Sequence, residues 1–274
     1  MKKVDGMSIH VLKEKSAGKR RKGRRKPLFF LIVFVIAVIV IGYFFGRRET
    51  VNYNSLLTRN LSGRNQKTNI GLANFAWNAL DSRSGYVFGA TGQTVTADFL
   101  QRQATRFAGN ERANLVGSEI FSIYRRYRGH PAFDCIGLIK AYTWLDEKTG
   151  KISPSYPFAM PDCTANGLLQ KAEKFGPAVA MPDTPGLVVQ MSGHTGIYVG
   201  NGEVIEARGN KLGVTKTKFQ GRGWKWYVYV PAVTYEENGT YLIHGQLVTI
   251  QNFEVSRTKA VPGIFDRKKD NDTN

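Results

Sequence analysis

The chain has 274 residues, 42% of them hydrophobic, which is enough for one sizeable globular domain with appendages. Its 39 Lys and Arg outnumber 21 Asp and Glu, and no nucleic-acid-binding motif accompanies the net charge of +18, so we expect no nucleic-acid partner. The two cysteines form neither a C-x-x-C pair nor a His/Cys cluster with zinc spacing, which excludes a structural zinc site, and we expect no metal.

The first 45 residues consist of a basic tail, at 1–27, and an apolar segment, at 28–45. Residues 1–26 carry 11 basic and 2 acidic side chains, a net charge of +9, whereas residues 28–45 carry no charge. A run of 18 residues dominated by Leu, Ile, Val and Phe is just long enough to cross a bilayer core as a helix. The positive-inside rule keeps the tail in the cytoplasm and places the chain from about residue 46 onward across the membrane.

A cleaved signal peptide is the alternative interpretation of this segment. Its apolar region would be shorter and would end in small residues, whereas this one ends in Tyr43, Phe44 and Phe45. We therefore predict a retained single transmembrane helix, with the lipid bilayer as a partner. The remaining charge of +9 belongs to the exported part, where anionic wall polymers or lipid head groups are the expected partners of a basic surface.

The exported part begins with helical patterns. The polar interval 46–68 is typical of a stalk. From Asn69 onward, apolar residues recur at three-four spacing and predict a helix. A glycine-punctuated turn, G-Y-V-F-G-A-T-G, follows at 85–92, and two amphipathic helices are predicted at 96–108 and 111–127.

The pattern then changes from helices to strands. Helices are predicted from Cys135 onward and over 164–175. After Pro185 the alternation of apolar and polar residues predicts strands, at 187–191, 194–199, 203–208, 213–219 and 225–230. Gly200-Asn201-Gly202 is a strong hairpin-turn signal between two of them.

Helices followed by an antiparallel sheet predict an α+β domain, which we place at 69–232. The remainder, at 233–274, is expected to add one hairpin around Glu237-Asn238-Gly239 and then a disordered tail.

Cys135 is the candidate nucleophile. A helix N-terminus favours a thiolate, and the backbone N–H of Cys135 could help to bind the oxyanion that forms in acyl transfer. Taken alone, a lone cysteine is more often an inert buried side chain, but the flanking Asp134 and Gly137 favour a functional role. A disulfide with Cys163 is the alternative in an exported domain, and it would inactivate this nucleophile.

His194 is the candidate base, because it stands between glycines at the start of a strand, where its ring can protrude into a cleft. A third group must orient the imidazole. Glu206 lies 12 residues later across the hairpin, and this even separation puts both side chains on one face of the sheet. Asn201 and Gln190 are alternatives for this role, and a solvent-facing strand glutamate is the alternative interpretation of Glu206.

These segments resemble the NlpC-type family of papain-like cell-wall cysteine peptidases, over roughly residues 70–232. The resemblance lies in Y-V-F-G-A-T-G, F-D-C-I-G-L-I and G-H-T-G-I-Y-V-G-N-G-E-V-I-E-A. The family's Asp-Cys-Ser-Gly-Leu falls on Asp134 to Leu138, with Ile136 in place of serine. Its strand-opening histidine falls on His194.

Three further features follow from the resemblance. The family's third polar residue, usually His, Asn or Gln, falls on Glu206. Its aromatic turn, whose tyrosine lines the substrate site, falls on Tyr86, and we take Tyr86 and Asp134 as candidate substrate-binding residues. The two helices predicted within 95–130 are an insertion, since compact members of the family have only a short loop there.

The resemblance implies a papain-like fold and hydrolysis of amide bonds in peptidoglycan stem peptides, typically between D-glutamate and a diamino acid. No metal or organic cofactor is needed for this reaction. A membrane anchor and stalk would hold such a domain outside the cytoplasmic membrane, against the wall of a bacterium.

Two other functions stay open. The same site could serve an N-acetylmuramoyl-L-alanine amidase or an acyltransferase, because a fold does not decide the reaction. The domain could also be non-catalytic and bind the wall or act as a scaffold for a membrane assembly. The complete Cys-His pair argues against the latter.

Overall fold

Helices from the first half of the chain pack on an antiparallel sheet from the second half, which confirms the predicted α+β class. The computed structural model describes residues 53–61, 66–113 and 115–251. The predicted transmembrane segment at 28–45 lies outside these ranges. Within them, no helix has the length and apolar character that crossing a bilayer requires.

The described residues form six α-helices, a main sheet of six antiparallel strands, a small three-stranded sheet and a C-terminal hairpin. The helices are α1 (Tyr53–Leu57), α2 (Asn69–Asp81), α3 (Ala97–Arg106), α4 (Gly117–Tyr127), α5 (Cys135–Trp144) and α6 (Leu168–Lys171). The strands are β1 (Gly85–Tyr86), β2 (Thr91–Thr94), β3 (Pro131–Phe133), β4 (Phe175–Pro177), β5 (Val188–Met191), β6 (His194–Gly200), β7 (Glu203–Ala207), β8 (Val214–Lys218), β9 (Trp226–Val228), β10 (Asn238–Ile243) and β11 (Gln246–Gln251). The order of strands in the main sheet is β4-β9-β5-β6-β7-β8, and that in the small sheet is β1-β3-β2.

The principal core lies between α2, α5 and the main sheet. Both helices are apolar on most of their surface, as expected of helices enclosed by other elements. Their side chains pack against alternate residues of the strands, among them Leu72, Phe75, Leu138, Ile139, Tyr142, Val188, Ile197, Ile205 and Val228. Burial of these side chains fixes α5 against the sheet and thereby places Cys135.

The start of α5 is held in place by Asp134. Its carboxylate accepts the N–H of Gly137 at 2.6 Å, which caps the helix, and the N–H of Gly89 at 2.8 Å. The Asp134 N–H donates in turn to the carbonyl of Ala90 at 2.9 Å. One residue therefore joins the helix start to the segment between β1 and β2.

Buried asparagines of α2 tie the two ends of the described chain to the domain. Asn74 bonds the carbonyl of Leu242 and the N–H of His244, at 3.1 and 2.9 Å. Asn78 donates to the carbonyl of Leu57 at 3.1 Å, and Leu57 is buried in the principal core. The interval 46–68, expected to be a polar stalk, thus contains a helix that belongs to the folded domain. Burial of the Leu57 side chain stabilises this position, and a solvated stalk would leave the same side chain in water.

The insertion at 95–130 forms α3 and α4 and packs on the segment that follows Tyr86. Gln103 donates to the carbonyl of Phe88 at 2.8 Å, and the insertion has its own small core, consisting of Val87, Ala90, Val95, Phe99, Leu100, Ile123, Tyr127 and Ala132. The insertion therefore supports the backbone around Phe88 and Gly89, on the side away from Asp134, and this backbone in turn contacts Asp134.

The helix predicted over 164–175 is wrong for most of its length, since only Leu168–Lys171 is helical. The Thr164 hydroxyl accepts the N–H of Gly167 at 3.1 Å, which forms a turn where the helix was expected to begin. Phe175–Pro177 pairs instead with β9 at the edge of the main sheet. Tertiary pairing overrides the local helical pattern here.

The C-terminal hairpin is present, but its predicted turn is wrong. Asn238 and Gly239 lie in β10, and the turn is made by His244 and Gly245, with φ of 48° and 77°. Positive φ at both central residues is the type I′ geometry that suits a two-residue hairpin loop. The bonds from Asn74 to this turn select it over the Asn-Gly pair.

We predict that Gly137→Ala destabilises the domain by roughly 2 kcal/mol or more, although alanine is the better helix former by up to about 1 kcal/mol. A Cβ at this position would lie 1.9 Å from the backbone oxygen of Ala90, which has no free side-chain movement to relieve the clash. Urea unfolding measures the change. Gly117→Ala, in α4, has open space around its Cβ and is the control, expected to leave stability unchanged or to raise it by up to about 1 kcal/mol. Equal stability of both variants would contradict the close packing of α5.

Candidate active site

Cys135 is the first residue of α5, and its half-buried thiol faces the turn between β5 and β6. Its Sγ atom lies 3.9 Å from the carbonyl oxygen of Gly193, a weak thiol contact at the limit for sulfur. The Gly193 N–H donates to the side-chain oxygen of Asn166 at 2.6 Å, so the turn is fixed on its other side as well. Cys135 and Cys163 are both free thiols, and the alternative of a disulfide is not realised.

His194 begins β6 directly after this turn. Its Nε2 donates to Glu206 Oε2 at 2.5 Å, and its ring stacks on Trp224 with centroids 5.7 Å apart. Because Nε2 is bonded to Glu206, the ring nitrogen that faces Cys135 is Nδ1. The structure therefore brings the thiol, the imidazole and the carboxylate together in the order that proton transfer from a thiol requires.

The surroundings of His194 favour its charged form. Burial opposes the imidazolium, but the hydrogen bonds and negative charges of Cys135 and Glu206 outweigh it and raise the pKa of His194 from 6.5 to about 9. A base whose pKa is raised in this way holds the proton that it receives from a thiol. His194 can therefore keep a proton on its ring near neutral pH.

Glu206 is fully buried and accepts hydrogen bonds on both oxygens. Thr217 Oγ1 and Arg222 Nε donate to Oε1 at 2.7 and 2.8 Å, and Arg222 Nη2 donates to Oε2 at 2.6 Å, beside His194. Burial favours the protonated acid, but the bonds from His194, Arg222 and Thr217 outweigh it and lower the pKa of Glu206 from 4.5 to about 2. Glu206 is therefore an anion at neutral pH.

Gly196 explains how Glu206 reaches His194. The register that pairs Ile197 with Ile205 puts Gly196 beside Glu206 on the neighbouring strand. A Cβ on Gly196 would lie 3.3 Å from the Cβ of Glu206 and 2.5 Å from a methyl of Val204. The missing side chain leaves room for the glutamate.

Tyr86 lies on β1, whose neighbour β3 leads into α5, and its register partner is Phe133. Burial, followed by the charges of Cys135 and Asp134, raises the pKa of Tyr86 well above its ordinary value of 10. Its hydroxyl is therefore neutral and can donate a hydrogen bond beside the thiol.

Asp134 is buried, with its carboxylate bonded to backbone N–H groups. Burial raises its pKa, and the bonds from Gly137 and Gly89 oppose this shift. Asp134 therefore positions the backbone around Cys135, and its direct contact with a substrate stays a prediction.

The alternatives for the orienting group lie elsewhere. Gln190 is buried and donates to the carbonyl of Ala165 at 3.5 Å. Asn201 is exposed, in the turn between β6 and β7, with φ of 54°.

Sequence reasoning missed Asn166, Thr217, Arg222 and Trp224. Thr217 could have been found from the strand pattern. β8 pairs with β7, Thr215 is the register partner of Glu206, and Thr217, two residues further along β8, lies on the same face of the sheet. Arg222 and Trp224 lie beyond β8 in a connection to β9 without regular structure, so no periodicity indicates where their side chains lie. In the part of the chain that the structure describes, no group of three or more His, Cys, Asp or Glu side chains could hold a metal ion.

No family model matches the sequence, and no curated protein matches it. Solved structures that the chain resembles at low similarity include the peptidoglycan hydrolase RipB from Mycobacterium tuberculosis, at 18% identity and a TM-score of 0.34, covering 60% of this chain and 66% of the RipB chain. NlpC1 from Trichomonas vaginalis has 17% identity and a TM-score of 0.32, covering 58% of this chain and 44% of NlpC1. The P60 domain of an antigen from M. avium subspecies paratuberculosis has 18% identity and a TM-score of 0.32, covering 60% of this chain and 96% of that domain.

RipB is a peptidoglycan hydrolase, and the other two structures are an NlpC protein and a P60 domain. The chain covers less than two thirds of the length of RipB and about half or less of NlpC1. At such low similarity the activity has to be inferred from the chain's own residues.

We predict that the His194 imidazole titrates near pH 9, and that Glu206→Gln lowers this midpoint by at least one unit, because it removes a negative charge beside the ring. Because the folded pKa is raised, the stabilisation from the imidazolium is complete below pH 6.5 and is lost as the pH rises through 9. NMR of the ring protons measures the midpoint. Glu203→Gln is the matched control, since Glu203 lies on the same strand and pairs with Lys216 and Lys218. An unchanged midpoint in Glu206→Gln would show that the carboxylate does not govern the histidine.

Proposed function

We propose that this protein is a cysteine peptidase that hydrolyses amide bonds in peptidoglycan stem peptides. The observation that carries the proposal is the half-buried Cys135 at a helix N-terminus, facing a histidine whose other ring nitrogen is bonded to a fully buried carboxylate. Such an arrangement activates a thiol, orients a base and excludes water from the group that orients it. A cysteine with an inert structural role needs none of these contacts.

In the first half-reaction His194 Nδ1 takes the proton of the Cys135 thiol, and the thiolate attacks the carbonyl carbon of the scissile amide. The negative charge moves to the carbonyl oxygen, for which the Cys135 N–H, in the first turn of α5, is the candidate donor. The imidazolium then donates its proton to the leaving amine as the C–N bond breaks. An acyl-enzyme on Cys135 Sγ and a free amine result.

In the second half-reaction His194 acts as a base toward water. Water attacks the thioester carbon and gives its proton to Nδ1, and the C–S bond breaks to release the carboxylic acid. The proton returns to the thiol. Glu206 stays ionised throughout and keeps Nε2 protonated, so that Nδ1 is the atom that exchanges protons in both steps.

We further propose that the bond cleaved joins D-glutamate to a diamino acid, with Tyr86 contacting the stem peptide. The motif resemblance supports this bond, and the position of Tyr86 beside Cys135 supports the contact. An N-acetylmuramoyl-L-alanine amidase or an acyltransferase would use the same three catalytic groups on a different bond, so the products decide between them.

Purified full-length protein incubated with peptidoglycan is expected to release muropeptides in which the D-glutamyl–diamino acid bond is open, and Cys135→Ala is expected to release none above background. Mass spectrometry of the products identifies the bond. Products opened between muramic acid and L-alanine would establish an amidase, and transferred acyl groups would establish an acyltransferase. Identical empty traces from both proteins would remove the enzymatic proposal and favour wall binding.

We also propose that residues 28–45 anchor the chain in the cytoplasmic membrane of a bacterium, with the catalytic domain outside. The uncharged run of 18 residues and the +9 charge of the tail before it support this topology. The basic exported part would then lie near anionic wall polymers and lipid head groups.

Deletion of residues 1–45 is expected to move the protein from the membrane fraction to the soluble fraction, because it removes the apolar segment. Immunoblots of fractionated cells measure the distribution. A matched control deletes residues 1–26 alone, which removes the charge but keeps the apolar segment. A full chain that is already soluble would contradict the anchor.

A further inference from the structure

Arg222 is bound to the catalytic carboxylate by two hydrogen bonds. Its Nε donates to Glu206 Oε1 at 2.8 Å and its Nη2 donates to Glu206 Oε2 at 2.6 Å. This is the parallel, two-pronged geometry in which a planar guanidinium fits a carboxylate. The Glu206 side chain is 0% exposed and that of Arg222 is 21% exposed, so little water competes for the pair.

Arg222 shares one oxygen of Glu206 with His194. Oε2 accepts both Arg222 Nη2 and His194 Nε2, whereas Oε1 accepts Arg222 Nε and Thr217 Oγ1. The guanidinium therefore fixes the plane of the carboxylate and aims Oε2 at the histidine. A carboxylate held by Thr217 alone could rotate about its terminal bond and lose this aim.

Arg222 also supports the histidine from a second side. Its guanidinium lies 5.4 Å from the ring centre of Trp224, and the Trp224 ring stacks on His194 with an angle of 14° between the planes. The four side chains form a closed ring of contacts, from His194 to Glu206, to Arg222, to Trp224 and back to His194. Removing Arg222 opens this ring at two places.

Charge supports the same conclusion. A fully buried carboxylate without a cation tends to take up a proton, and a protonated Glu206 would no longer hold the imidazolium. The charged groups that act on Glu206 are His194 and Arg222, and those that act on His194 are Cys135 and Glu206. Arg222 is thus the cation that stays in place while His194 gains and loses its proton.

We propose that Arg222 is a positioning residue of the active site, which acts through Glu206 to keep the carboxylate ionised and aimed at His194, so that Nδ1 is the atom that exchanges protons with Cys135. The inference rests on the proposed Cys-His mechanism and adds a fourth side chain to it. Arg222 touches neither the thiol nor the reacting bond, and its effect reaches them through two intermediate groups.

The test measures the rate at which iodoacetamide alkylates Cys135 in the full-length protein, between about pH 4 and about pH 10, with peptide mass spectrometry to separate Cys135 from Cys163. Alkylation needs no wall substrate, so it reports on the thiolate even if peptidoglycan is not the substrate. For Arg222→Gln we expect the acid limb of the profile to move up by about one pH unit, because a carboxylate that Arg222 no longer aims at His194 stabilises the imidazolium less and so favours the thiolate less.

The conservative variant distinguishes charge from geometry. Arg222→Lys keeps the cation but loses the two-pronged fit, so we expect an acid limb near that of the wild type and an intermediate rate of hydrolysis. For Arg222→Gln we expect kcat to fall about tenfold with little change in KM, since no substrate contact is lost. Lys225→Gln is the charge-matched control, because it removes one exposed cation three residues away, and it should match the wild type.

A double-mutant cycle asks whether Arg222 acts through Glu206. Once Glu206→Gln has removed the carboxylate, adding Arg222→Gln should change the alkylation rate by less than about twofold. Effects that multiply would overturn the proposal, and so would an unshifted acid limb in Arg222→Gln or a change confined to KM. A wild type with the expected alkylation profile but without peptidoglycan cleavage would refute the proposed function and leave the role of Arg222 standing.

Discussion

A carboxylate removed from water needs a partner for its charge, and the candidate site of this protein is organised around a buried carboxylate that has such partners. Glu206 is fully buried and is bonded to an imidazole from β6, a hydroxyl from β8 and a guanidinium from the connection between β8 and β9. Burying this charge would cost several kcal/mol if one partner were missing. The sheet and the segment that follows β8 therefore have to pack together around Glu206, and this packing fixes the orientation of the His194 ring.

A second buried carboxylate, Asp134, has the opposite environment. Its partners are backbone N–H groups and no arginine is bonded to it among the described residues, so burial raises its pKa while that of Glu206 is lowered. Two acids near one thiol are thus assigned different tasks by their surroundings. Asp134 joins the start of α5 to the segment after Tyr86, and Glu206 holds a charge that His194 can face. The helix supplies the candidate nucleophile and the sheet supplies the candidate base, and these two carboxylates hold each in place.

The sequence analysis was right where the structure depends on residues that lie close together in the sequence. The Asp-Cys-x-Gly segment indicated a capped helix start, and the structure has the cap, with Gly137 required by the close approach of Ala90. The 12-residue separation across Gly200-Asn201-Gly202 indicated that Glu206 could reach His194, and the hydrogen bond is present. The errors lie where tertiary contacts override a local pattern. Phe175–Pro177 joins the sheet edge instead of ending a helix, and Asn74 selects His244-Gly245 as the hairpin turn over a stronger local signal.

The sequence by itself determined the α+β class, the thiol at a helix start and the histidine and glutamate on neighbouring strands. Each depends on a period or a cap that is written in consecutive residues. Only the tertiary structure decided that Arg222 and Trp224 close a ring of contacts with His194 and Glu206 and that Asn166 fixes the turn beside the thiol. Those contacts join segments between 16 and 30 residues apart, through connections without regular structure. No sequence period reports where such side chains lie, because their positions follow from how the sheet and helices pack.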